Sequence, residues 1–427
     1  MLSKEDNELL TRASAGTPMG ELLRRYWIPA LLSEEIPAPD CAPARVRLLG
    51  EGLVAFRDTE GRIGLIGEHC AHRGTSLFYG RNEECGLRCI YHGWKYDVEG
   101  NVLETPAEPP QSDYGKKIRH TAYPTREAAG IIFAYLGPKD SMPLFPNYEW
   151  TQVPLTQTYV TKALLECNYL QGLEGECDSS HLSFLHRSFH PGPGQRLYQL
   201  DTAPAYETEE TDFGVRMAAI RGADDQQYVR VSSFVMPVAG CVPVGGGSFA
   251  LDGFEIHMYV PADDTHAWRY DLGFRRTRPV REEEVHRRKQ IGPYYTRIRN
   301  ARNHYLQDRE VQRTLTFTGI EDFLNHDACV TESMGSIYDR SREHLGASDK
   351  AVIAVRKFLL RSVKAFQDGA EPPHLVRDAA KNGFPHIDSL AELIPLGVPW
   401  REHFKHLTKE AGVNNPKAYA PSRKAAS

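Results

Sequence analysis

The sequence has no strong excess of charge of either sign: 51 Lys and Arg against 56 Asp and Glu give a formal net charge of -5. A nucleic-acid partner is therefore not expected, because binding a polyanion draws on a basic face. Apolar runs of membrane-spanning length are also missing, and the best stretch, residues 129–136 with Gly130 inside it, is only strand-sized. The opening MLSKEDNELL is acidic and lacks the apolar centre of an export signal. No membrane partner and a cytoplasmic location are the resulting expectations. Cysteine is sparse, eight residues scattered through 427, too few for a disulfide scaffold, and spare thiols in such a chain stay reduced. There is no dinucleotide fingerprint, since Pro191-Gly192-Pro193-Gly194 has neither the spacing nor the preceding strand. Repeats and low-complexity tracts are lacking too. What remains is an ordinary globular composition, 41% hydrophobic and 25% charged, on a chain long enough for two or more domains.

The few cysteines include two that are placed with purpose. Cys70-x-His72 and Cys89-x2-His92 are two short pairs sixteen residues apart, and two loops can close them around one metal centre. Two thiolates and two imidazoles are the ligands of a Rieske [2Fe-2S] cluster, cysteines on one iron and histidines on the other. The same residues can also hold a structural zinc, with Cys85 near enough to compete as a ligand. Glycine follows each pair (Gly74, Gly93), as expected where backbone approaches inorganic sulfide. The two stretches, CAHRGTSL and CIYHGWKYD, resemble the Rieske domain of aromatic-ring oxygenases. Respiratory Rieske proteins add a cysteine to each loop; Thr75, Ile90 and Tyr91 stand here instead, as in the soluble oxygenase type.

Along the chain, residues 3–15 read as a short amphipathic helix with Ser3 as N-cap. Residues 21–27 then lead into a Pro-rich connector. From Arg45 the period becomes that of strands, at 45–49, 53–57 and 62–66, and this meander delivers Cys70. A hairpin at 94–97 and 101–103 and a buried strand at 130–136 complete a small all-β domain. The expected division is a helical segment over 1–44, a Rieske domain over 45–138 and a larger domain over 139–427. In the last, strands at 157–167, 197–200, 205–211, 215–220, 228–236, 255–260 and 267–275 followed by helices predict an α+β fold, a curved antiparallel sheet covered by helices. Residues 281–313 are charged and helical in tone, a solvated face. Residues 349–366 form an amphipathic helix with Ser348 as N-cap, and the polar end from Gly412 frays.

The second constellation is Asp178-x2-His181-x4-His186. Two histidines and a downstream carboxylate make the facial triad that holds non-haem Fe(II) while leaving positions open. On a continuous helix the two imidazoles would diverge by about 140°, so the helix must end or distort near Ser183-Phe184. The segment NYLQGLEGECDSSHLSFLH resembles the catalytic domain of the same oxygenases, specifically the phthalate 4,5-dioxygenase group of large subunits, which also contains O-demethylases. The resemblance implies that His181 and His186 bind iron and that Asp178 bridges to a cluster histidine of a neighbouring subunit. It implies Asp327 as the third ligand, with Asp322 and Glu332 as competitors and an open role for His326.

It further implies a terminal oxygenase that activates O2 at Fe(II) with electrons from NADH through a separate reductase. The expected reaction is phthalate-like ring dihydroxylation of an aromatic acid. O-demethylation of a methoxylated aromatic acid is the alternative, and an electron-transfer protein or a zinc-stabilised binding module are more distant ones. Homotrimers or stacked hexamers without a β subunit belong to the same implication. Arg216, Arg221 and Arg230, on candidate strands, are the candidate contacts for a substrate carboxylate.

Overall fold

The computed structural model describes residues 1–109, 111–243 and 252–410; the polar end from Gly412 lies outside the described residues. Helix α1 (Lys4–Thr11) starts at Ser3, whose hydroxyl accepts the Asp6 N–H at 3.0 Å, and α2 (Pro18–Leu23) has proline in its first turn. The first strand, β1 (Trp27–Leu32), was not expected, because its Pro29 reads as connector. It pairs at the sheet edge with β10 (Ile131–Tyr135), which pairs in turn with β9 (Thr125–Ala128). The β-structure of the first body thus starts at Trp27 rather than Arg45. The expected meander is β2 (Ala44–Leu48), β3 (Glu51–Arg57) and β4 (Ile63–Gly67), and a second small sheet runs through β5 (Arg81–Glu83), β6 (Gly86–Arg88), β7 (Lys95–Tyr96) and β8 (Val102–Glu104). The two cluster loops leave these two sheets, above a core of Val54, Phe56, Ile66, Leu77, Trp94 and Tyr96.

After a short α3 (Glu149–Gln152), the larger body is an antiparallel sheet of eight strands. In chain order it comprises β11 (Thr158–Leu165), then α4 (Tyr169–Cys177) and α5 (Pro193–Leu200), then β12 (Ala205–Glu210), β13 (Gly214–Ala223), β14 (Gln226–Val235), β15 (Ala239–Val242), β16 (Glu255–Pro261) and β17 (Ala267–Phe274). Helices α6 (Arg309–Thr314), α7 (Phe323–Ser333) and α8 (Lys350–Gln367) follow, then the last strand β18 (Leu390–Pro395) and α9 (Trp400–Glu410). The spatial order is β11-β17-β16-β15-β14-β13-β12, with β18 also on β14. Helices α4 and α8 cover the sheet and share one core with α1, α2, β1 and β10.

Three sequence expectations differ from this. Residues 197–200 are the end of helix α5, not a strand: Pro193 opens the helix, and Leu197 and Tyr198 pack toward Tyr228 of β14 and Ala391 of β18. Residues 281–313 are 3-10 segments, the longest Glu282–Gln290, broken at Gly292-Pro293 and by the left-handed Tyr294, with α-helix only in α6. The α8 cap falls one residue later than Ser348, on Asp349, whose carboxylate accepts the Gly346 N–H at 2.7 Å.

Candidate functional site

The two loops of the first body are built alike. Cys70 N–H donates to the Thr75 carbonyl (2.9 Å) and Gly74 N–H to the Cys70 carbonyl (2.8 Å); Cys89 N–H donates to Trp94 (2.8 Å) and Gly93 N–H to Cys89 (3.0 Å). Each turn closes on a glycine at φ +74°, where a Cβ is strained; at Gly93 it would also meet Pro106 Cγ at 2.7 Å. Both thiols are buried, and the Tyr96 hydroxyl lies 3.0 Å from Cys70 Sγ. The His72 ring stacks on Trp94 and stands 4.5 Å from that of His92.

His72 Nδ1 is buried and has no hydrogen-bond partner among the described residues, which is expected of a metal ligand and costly otherwise. A single zinc would draw all four donors to within about 4 Å of one another. Among the described residues, the groups able to surround one ion are His181–His186–Asp327 and Asp58–Glu60–Cys85, not the loop quartet. A two-iron cluster, which keeps the thiolates on one metal and the imidazoles on another, fits this separation. Cys85 sits with Asp58, itself held by Arg62 at 2.8 Å.

In the larger body, α4 stops at Cys177 and Asp178 is extended; a single 3-10 turn, His181–Ser183, ends at Phe184 (φ -122°, ψ -64°). This break brings both imidazoles to one side, with ring centroids 5.1 Å apart. Helix α7 presents Asp327, whose Oδ1 is 3.0 Å from His186 Nε2. By angle the contact between these two atoms is not an aligned hydrogen bond. With His181 they form a compact set of three ligand atoms, all within 4.8 Å. Burial lowers the His186 pKa to about 4 and keeps the imidazole neutral, the ligating form. Burial pushes the Asp327 carboxyl up, but His186 and Arg269 hold it well below the ordinary carboxylate range.

Asp178 Oδ2 lies 3.7 Å from His181 Nδ1, and its Oδ1 accepts from Ser180 N–H (2.7 Å) and Tyr206 O–H (3.4 Å). Burial opposes its ionisation, yet His181 and these donors bring its pKa below the usual value. The competing carboxylates are placed otherwise. Asp322 opens α7 at φ +69°, and Glu332 accepts the Glu166 N–H at 3.1 Å and the Tyr305 hydroxyl.

A cavity of about 680 Å3 adjoins the triad, lined by His181, Asp327, Asp178 and apolar Leu182, Val242 and Val330. Of the three candidate arginines only Arg230 lines it, with Nη2 on the Pro243 carbonyl at 3.4 Å. Arg216 does not line it; its guanidinium is engaged by Glu209 and the His386 carbonyl, both at 2.7 Å. Arg221, fully buried, clamps the Ser179 carbonyl (2.7 Å) and the Asp201 carbonyl (3.1 Å) and does not line the cavity either.

The sequence reading missed a charged layer beneath the triad. Arg269 is 1% exposed and donates Nε to Asp271 (2.8 Å) and Nη1 to Asp327 Oδ2 (3.2 Å), with Nη2 3.5 Å from Glu176. Glu176 also accepts the Tyr259 hydroxyl at 2.6 Å and lies 2.9 Å from His257 Nδ1. The available signal was charge at alternating positions, Arg269 and Asp271 facing His257, inside otherwise apolar paired strands.

Both bodies match known protein families. Residues 26–121 match the Rieske [2Fe-2S] domain family and residues 134–420 the LigXa C-terminal domain like family. The chain is 40% identical to the phthalate 4,5-dioxygenase oxygenase subunit of Pseudomonas putida over 94% of this chain and 95% of that one. It is 32% identical to the 5,5'-dehydrodivanillate O-demethylase oxygenase subunit of a Sphingobium species, over 90% and 85%. The fold is shared with the NdmA QL mutant of Pseudomonas putida CBB5 with theobromine (TM-score 0.59, 19% identity, 82% and 93% covered). Two cofactor sites of the right chemistry, in two bodies that both match, make this chain a member of the Rieske non-haem iron oxygenases of the phthalate 4,5-dioxygenase group, an oxygenase component that uses a [2Fe-2S] cluster, mononuclear iron and O2.

Proposed function

We propose that the chain oxygenates an aromatic carboxylic acid with electrons from NADH through a separate reductase, by ring dihydroxylation of a phthalate-like acid. Cys70, Cys89, His72 and His92 hold the cluster, and His181, His186 and Asp327 hold the iron, which supplies the reductive activation of O2 when bound. The observation that carries the substrate class is Arg230, a guanidinium on the wall of the cavity that His181 and Asp327 also line; Arg269, Arg342 and Arg356 add further positive charge there, and Leu182, Val242 and Val330 supply apolar wall. A fixed fork of this kind suits a carboxylate, while the apolar walls take the ring and exclude water. The likeness to the O-demethylase subunit supports methyl ether cleavage as the second reading. Both present a C–H or ring carbon to the same metal face.

Asp178 then links the two centres between neighbouring subunits in a head-to-tail homotrimer, alone or stacked as a hexamer. Two exposed apolar faces support this arrangement. Tyr79, Ile90, Tyr91 and Tyr114 surround the cluster loops, and Phe184, Phe189, Leu315 and Phe317 border the iron site. No hydrogen bond or ion pair among the described residues joins the cluster loops to the 178–186 segment. A heterologous contact that closes into a ring covers both faces at once.

The test is turnover of phthalate and of methoxylated benzoates by the enzyme with its reductase, with products identified by mass spectrometry. Arg230→Met should raise KM for the preferred acid roughly 100-fold, about 3 kcal/mol for a lost charged hydrogen bond, with cluster reduction unchanged. An unaltered KM would remove the carboxylate from the reading.

A further inference from the structure

We propose that His326 is a positioning residue that sets the tautomer of His186, so that the Nε2 lone pair of His186 faces the iron. His326 is 8% exposed and both of its nitrogens are committed. Nε2 lies 2.7 Å from the Ile320 carbonyl and 3.1 Å from the Thr318 hydroxyl. Nδ1 lies 3.1 Å from Nδ1 of His186, and the two rings are nearly parallel, 17° apart.

The direction of every proton in this chain follows from its end. A carbonyl oxygen only accepts, so His326 Nε2 carries the hydrogen and donates it to Ile320. The Thr318 hydroxyl accepts the Ile320 N–H at 3.2 Å and leaves that assignment unchanged. In the neutral ring the hydrogen on Nε2 makes Nδ1 an acceptor, and the partner at 3.1 Å must donate. His186 therefore holds its hydrogen on Nδ1 and its lone pair on Nε2, the atom beside Asp327 Oδ1. The backbone at Ile320 thus selects, through one intervening imidazole, which nitrogen of His186 can bind metal. Ring orientation is secured in the same way: Phe323 stacks on His186 at 3.4 Å and leaves it no freedom to flip. His326 stands outside the compact set of three ligand atoms, and with both nitrogens committed its part is support of His186.

The inference rests on His186 being an iron ligand, and the experiment separates the two. Fe(II) is titrated anaerobically, by chelator competition, into the cluster-containing enzyme and its His326→Leu, His326→Gln and His186→Ala variants, with cluster absorbance as the internal standard. His326→Leu removes the acceptor and should weaken Fe(II) binding by about 10- to 100-fold. Glutamine can accept from His186 through Oε1 and donate to Ile320 through Nε2, so His326→Gln should restore affinity to within about threefold of the parent. Wild-type affinity in His326→Leu, or no rescue by glutamine, overturns the proposal. His186→Ala binding iron normally would instead overturn the ligand assignment. A measurement on the unmodified chain stands beside these. In the cobalt(II)-loaded enzyme, the His186 Nδ1–H should appear as a shifted proton signal slow to exchange with D2O; immediate exchange of every imidazole N–H would refute it.

Discussion

Replacing Arg269 with methionine tests the electrostatic account of the iron site most severely. The guanidinium is the cation shared by Asp271, Asp327 and Glu176, at 2.8, 3.2 and 3.5 Å, and it is 1% exposed. Methionine fills a similar length but leaves these carboxylates to repel one another in a dry setting. Removing one partner of a buried pair costs roughly 3–5 kcal/mol, because the orphaned charge stays desolvated. For a chain of 427 residues unfolding entropy amounts to about 0.9 kcal/mol per kelvin, so the loss corresponds to a fall in Tm of about 4 °C. A bound ferrous ion supplies positive charge at Asp327 and offsets part of the deficit. The fall should therefore be largest in enzyme stripped of mononuclear iron and clearly smaller after Fe(II) is restored, as read by scanning calorimetry with the cluster intact. Equal falls in the two forms, or a change below about 1 °C in both, would refute the claim that Arg269 and the iron neutralise the same carboxylates.

Two further outcomes follow from the structure. Asp178→Asn keeps an oxygen for the Ser180 N–H but loses the charge beside His181. Iron content should hold while cluster reoxidation in stopped-flow single turnover slows about 100-fold, and an unchanged rate would remove Asp178 from the link between centres. Asp388, buried near Arg276 and Glu149, has a carboxyl pKa raised to about 6, chiefly by burial. Its unfolded value is about 3.9, so the folded state binds the proton more tightly, and stability declines as pH rises from about 4 to 6. Asp388→Asn should therefore stabilise the protein above pH 6 by about 3 kcal/mol at most and by nothing near pH 4; equal denaturation midpoints of variant and parent at pH 8 would contradict this.

The local features of the chain were legible because they depend on neighbours in sequence. Ligand chemistry and spacing in Cys70-x-His72 and Cys89-x2-His92 announce a metal loop without reference to the fold, and the glycines that follow signal the left-handed turns found at φ +74°. The pitch of a helix likewise demanded a break between His181 and His186, and one is present at Phe184. The meander before Cys70 and the strands of the large sheet showed in period-two patterning. Residues 197–200 failed that test because four residues cannot distinguish a strand from the end of a helix opened by Pro193.

What the tertiary structure decided is which distant groups face one another. Strand alternation states that Arg216, Arg221 and Arg230 take sides, but not what covers each side. Pairing with Glu209, burial against Ser179 and opening onto the cavity came only with the packed sheet. Asp327 stands apart from Asp322 and Glu332 because Arg269, from a strand 58 residues earlier, reaches its carboxylate. The contact between His326 and His186 spans 140 residues. Spacing along a chain reports only the geometry of its own turn of backbone, whereas the charges that tune a metal ligand act through space, and the fold alone sets those distances.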